Sequence, residues 1–184
     1  MNGLLLGLAL VAAVNPPRTR TGLPETTTGR ARLPVLLLGS GIALAVVAGL
    51  AWWSGPLLDA LDVSPETFRI AAGLVAGIAG LRSIIRTSPG AEPELPGLRS
   101  AVWPVAFPRL VAPEVVALAI TAGSEDGVTG TVAAAAVAFA ALAALGPLRR
   151  GAVTDGALRW AGAVLGMVLV VIGAVLMIDG VREV

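Results

Sequence analysis

The chain has 184 residues, 56% of them apolar and 14% charged, with a mean hydropathy of +0.87; a soluble domain is about 45–50% apolar and about 25% charged. Its formal net charge is +1, and it holds neither cysteine nor histidine. Disulfides and thiol chemistry are thereby excluded, along with the usual pH switch and the commonest zinc ligand.

Six apolar segments of membrane-spanning character follow one another. A bilayer core needs roughly 20 residues of helix. The first, about 3–20, opens on an uncharged run from Met1 to Pro17. No positive region precedes that run, so a retained helix is expected here rather than a cleaved signal peptide. The second spans about 34–54. The third, 64–85, has an uncharged centre, Ile70 to Leu81, between Arg69 and Arg82, whose stems are expected to snorkel towards the headgroups. The fourth, 101–122, contains VWPVAFPRLVAPEVVALAI, with Pro104, Pro108 and Pro113 beside Arg109 and Glu114. The fifth and sixth are expected at 128–147 and 158–178. Trp52, Trp53, Trp103 and Trp160 fall near the ends of these segments, where belt residues belong.

Loop charge sets an expected orientation. The first connection carries Arg18, Arg20, Arg30 and Arg32, the third Arg82, Arg86 and Arg99, the fifth Arg149 and Arg150. The second and fourth carry only acids: Asp59, Asp62, Glu125 and Asp126. The positive-inside rule then places the odd loops in the cytoplasm and both termini outside, in a multi-pass protein of the cell (inner) membrane.

The two halves resemble each other. VSPETFRIAAG from Val63 aligns with VTDGALRWAGA from Val153 without a gap. Ser64 and Thr154 are suitable N-caps, and Pro65 suits a first helical position. The same segments carry Gly73 with Gly77 and Gly162 with Gly166, a spacing for close helix packing in lipid. More weakly, AAVNPPR at Ala12 parallels RLVAPEV at Arg109, with Pro16 opposite Pro113. A unit of three spans enters the membrane from opposite sides in its two copies. The expected fold is therefore all-α and integral to the membrane, with six transmembrane helices in two inverted three-helix repeats, residues 1–96 and 97–184. Spans 1 and 4, corresponding members, are both broken at proline. Such paired breaks mark a transporter site near the midplane, because irregular backbone survives in a membrane only against protein or a wet cavity.

NPP after the first apolar run, VSPETFRIAAGLVAGIAGLR and VWPVAFPRLVAPEV resemble the MarC family, which includes SnatA-type transporters of small neutral amino acids. The resemblance implies a family break at Asn15 and Pro16, a second at Ala112 and Pro113, and a span-3 motif at Phe68 to Gly73. Pro17 and Arg18 depart from the residues the family has after its Asn-Pro pair. Arg109 and Glu114 stand where it has small or apolar residues.

The candidate substrate-binding residues are thus Asn15, Pro16, Pro17, Arg109, Ala112, Pro113 and Glu114. Charge inside a membrane is costly and is a functional hypothesis by default. Arg109 and Glu114 could clamp a zwitterion, or neutralise each other as a structural pair, or Arg109 could face a water-filled vestibule. Arg69 and Arg159 read as interfacial anchors, and the glycines of spans 3 and 6 as packing surfaces. There is no Ser-His-Asp set, no phosphate- or dinucleotide-binding glycine pattern after a strand, and no basic–aromatic alternation of the kind that nucleic-acid binding requires. Neither enzymatic activity, cofactor, metal nor nucleic acid is expected. The partners are the bilayer and a small solute, with a homo-oligomer left open. Two functions compete: a transporter or exporter of a small neutral amino acid or similar metabolite, and a non-transporting membrane scaffold or assembly subunit.

Overall fold

A computed structural model describes residues 3–21, 32–85, 97–145 and 152–184. Arg30, Arg86, Arg149 and Arg150 of the arginine-rich connections lie outside these residues. Every regular element among the described residues is helical: α1 (Gly3–Val14), α2 (Pro16–Thr21), α3 (Arg32–Trp52), α4 (Ser54–Ala60), α5 (Pro65–Ile85), a 3₁₀ turn (Gly97–Ala101), a wide π-type coil (Val102–Leu110), α6 (Pro113–Glu125), α7 (Gly127–Leu145) and α8 (Ala152–Glu183).

Four stretches are long and apolar enough to cross a bilayer: Leu33–Trp52, Pro65–Ile85, Gly127–Leu145 and Thr154–Glu183. A fifth is a bent pair, Arg99–Leu110 with Pro113–Glu125, turned by 69° at the break. The first expected span, about 3–20 and broken at proline, is two helices meeting at Asn15. α1, at 12 residues, rises about 18 Å, short of the roughly 30 Å hydrocarbon core. The polar stretch after it, read from sequence as the start of a loop, is the helix α2, and its Arg20 is 1% exposed.

Local sequence explains several boundaries. α5 starts as expected: Ser64 Oγ accepts the Thr67 N–H at 3.2 Å, and Pro65 takes the first helical position, where no N–H is needed. Thr154, the corresponding cap in the sequence alignment, lies within α8, which begins at Ala152. The expected second connection holds α4, whose Ser54 hydroxyl donates to the Ala51 carbonyl at 2.9 Å.

α5 and α8 pack antiparallel along a glycine seam. A Cβ on Gly73 would stand 2.6 Å from the Gly173 carbonyl oxygen, and one on Gly80 would stand 2.5 Å from that of Gly166. Backbones this close gain dispersion in lipid, where no hydrophobic effect drives helices together. Gly80→Leu should therefore force the seam apart and lower the melting temperature in detergent, a loss of about 1–3 kcal/mol. Gly77→Ala, whose Cβ would meet nothing within 4 Å, should leave it unchanged or slightly raised. Equal melting temperatures for the two variants would refute this seam.

The bundle has an acidic and a basic end. At the acidic end Gly3 faces the Asp126 carboxylate, Gly123 packs on the Ala51 backbone, and Arg69 reaches Glu125 and Glu183. Towards the basic end, which carries Arg18, Arg20 and Arg82, Arg20 Nε donates to the Leu145 carbonyl at 3.0 Å and so caps the C-terminus of α7. The half-length helices α1 and α6 run through the middle. Ala12, Ala13 and Val14 are buried in succession at the broken end of α1, so protein encloses that break, whereas Val102, Trp103 and Phe107 on the second irregular stretch and Pro113 after it are exposed.

Candidate functional site at the two helix breaks

The first break turns on Asn15, which has φ +44°, a left-handed conformation that asparagine tolerates better than most residues. Pro16 and Pro17 bring no N–H to the helical ladder. The freed groups are met locally: Asn15 Oδ1 accepts the Arg18 N–H at 3.3 Å, capping α2, and Thr19 Oγ1 donates to the Val14 carbonyl at 2.8 Å. Asn15 Nδ2 donates across the bundle to the Gly162 carbonyl on α8 at 2.9 Å. Asn15 is 4% exposed, and both functional groups of its side chain are used. Gly162 thus serves the break, not the helix seam expected of it. A Cβ there would stand 3.3 Å from Asn15 Oδ1 and from Arg18 Cβ.

The second break answers for the three prolines. A residue before proline is pushed out of the helical region towards extended backbone. Trp103, Phe107 and Ala112, which precede Pro104, Pro108 and Pro113, have ψ values of 122°, 131° and 157°. The first two widen the coil; the third ends it. Pro113 then opens α6, and the Ala112 carbonyl accepts the Val116 N–H at 3.0 Å.

Asn15, Pro16 and Pro17 therefore lie at one break, and Ala112, Pro113 and Glu114 at the other. α1 and α6 pack side by side with Gly3 at Asp126, and their lengths are 12 and 13 residues. The Asn15 end and the Pro113 end consequently fall at the same depth in the bundle. Glu114, half-buried in the first turn of α6, makes no ion pair among the described residues; the cationic charges bearing on it are those of Arg82 on α5 and Arg18 on α2. The Arg109–Glu114 ion pair that one reading of the sequence offered is not formed. Arg109 sits half-buried on the coil, on the other side of the break.

A second polar cluster was missed by the sequence. Arg69, expected as an interfacial anchor, is 4% exposed. Its Nε donates to Glu125 Oε1, and its Nη1 to Glu183 Oε2 at 2.8 Å. Arg159, which aligns with it in the sequence, is exposed. No group of three or more His, Cys, Asp or Glu among the described residues is arranged to hold a metal ion. A groove of about 630 Å³ between α3 and α4, lined by Val46, Gly49, Leu50, Trp53 and Leu57, presents no polar side chain to orient a solute.

No family model, curated protein or solved structure matches the chain.

Proposed function

We propose that the chain is a membrane transporter or exporter of a small neutral amino acid or similar metabolite, working by alternating access between two inverted repeats of three spans. One observation carries the reading. Two helices break at positions that align in the sequence, Asn15–Pro16 and Ala112–Pro113, each break is followed by a short helix with proline at its first position, and the two lie at the same depth. A solute crossing the membrane needs polar backbone at the midplane, and broken helices supply it.

Packing supports the repeat. α5 meets α8, α3 meets α7 and α1 meets α6, and these are the pairs that a two-fold axis in the membrane plane would set against each other. α5 also packs on α6, as α8 does on α1 and α2. The substrate class rests on the resemblance to the MarC family and on Glu114, an acid free to meet an ammonium group. With the basic end in the cytoplasm, both termini lie outside the inner membrane.

Purified protein in liposomes should move labelled alanine, glycine or serine faster than empty liposomes, with saturation. Absence of flux for all three, in folded protein, would leave the scaffold reading. Reporter fusions after Pro89 and after Val184 should report cytoplasm and exterior respectively; the reverse at both positions would overturn the orientation.

A further inference from the structure

α6 is a rod of 13 residues between two joints. At one end lies the break, with Val111 at ψ 60° and Ala112 at ψ 157°. At the other, Gly127 has φ +78°, and nothing lies within 4 Å of where its Cβ would be. Non-helical joints of this kind absorb backbone rotation while the helix between them stays intact. Swinging the rod would uncover its inner face, Leu118, Ala119 and Ala122, each at most 1% exposed, and open a way from the acidic end to Glu114 at its base.

One side-chain tie closes that end. Glu125, in the last turn of α6, holds Arg69 of α5 through Oε1, while its Oε2 is buried with no hydrogen-bond partner among the described residues. A half-satisfied buried carboxylate contributes little net stability, because its desolvation offsets much of the ion-pair attraction. Arg69 is meanwhile held by a second carboxylate, Glu183 of α8, whose side chain is 50% exposed against 11% for Glu125.

We propose that α6 is the gate at the acidic end, that Arg69–Glu125 is its latch, and that Glu183 keeps the guanidinium paired when Glu125 swings away. The inference rests on alternating access, and in this structure the acidic side is closed. Glu125 leaves with its unpaired oxygen gaining water, while Arg69 never becomes an unpaired buried cation. The two carboxylates therefore act in opposite senses. Glu125 favours the closed state; Glu183 favours the open one.

The native chain has no cysteine, so Ala119→Cys gives a single thiol on the buried face of α6. Its labelling by a small membrane-impermeant thiosulfonate, applied at the acidic face without any solute, reads gate opening. Against this parent, Glu125→Gln should speed labelling about tenfold. Glu183→Gln should slow it, and Asp126→Asn, an exposed acid at the same helix end, should leave it unchanged. Labelling unaltered or faster in Glu183→Gln would overturn the proposal, and so would an unaltered rate in Glu125→Gln or an equal acceleration in Asp126→Asn. Should Glu125→Gln fail to fold, the direction of change in Glu183→Gln decides alone. If labelling responds as described but liposomes move no solute, the gate stands and the transport reading falls. Flux with unresponsive labelling removes only the latch.

Discussion

Arg69→Leu should cost the fold about 3–5 kcal/mol, and most of the folded protein recovered in detergent. Arg69 is 4% exposed and is the cation to which Glu125 and Glu183 are both bonded. Leucine would fill part of the volume but strand Glu125, whose Oε2 already lacks a partner among the described residues. The half-exposed Glu183 can turn to water, so most of the loss is assigned to Glu125. Adding Glu125→Gln should accordingly return much of the yield, because a neutral amide is far cheaper to bury than an unpaired carboxylate. Size-exclusion profiles and apparent melting temperatures of the single and double variants measure this. A single variant as stable as the native chain would restore Arg69 to the role of a surface anchor.

The local features of this fold were legible in the sequence, and the long-range ones were not. Proline acts on its immediate neighbours, so both breaks could be placed at Pro16 and Pro113, and the cap at Ser64 followed from three adjacent residues. The role of Arg69 depends on partners 56 and 114 positions away, and nothing in the FRIAAG stretch specifies them. Arg159, which aligns with it in sequence between Leu158 and Trp160 where Arg69 has Phe68 and Ile70, remains exposed, so the alignment concealed the difference. Arg20 misled for another reason. A six-residue helix with two arginines reads as a linker by composition, and what buries it is the C-terminal carbonyl end of α7, 125 residues on. Gly162 likewise looked like half of a packing pair until Asn15 was found bonded to its carbonyl.

Glu114→Gln should abolish most transport and leave the fold alone. An ammonium held by a carboxylate loses roughly 1.5–3 kcal/mol when the charge is removed, which weakens binding about 10–100-fold. The amide keeps the shape of the side chain, so flux at low substrate should fall by that factor while folded yield stays at the native level. Stability has little to lose, because Glu114 has no ion-pair partner among the described residues. Arg109→Leu should behave differently: this arginine is half-buried and engaged by other groups, so its removal should reduce folded protein first. The double variant separates the readings. If the two residues were a structural pair, removing both would restore yield and flux together. With Glu114 as a substrate ligand, the double variant stays inactive, because the ammonium still lacks its carboxylate. Loss of folded protein in Glu114→Gln, reversed by Arg109→Leu, would make the pair scaffolding and remove Glu114 from the substrate ligands.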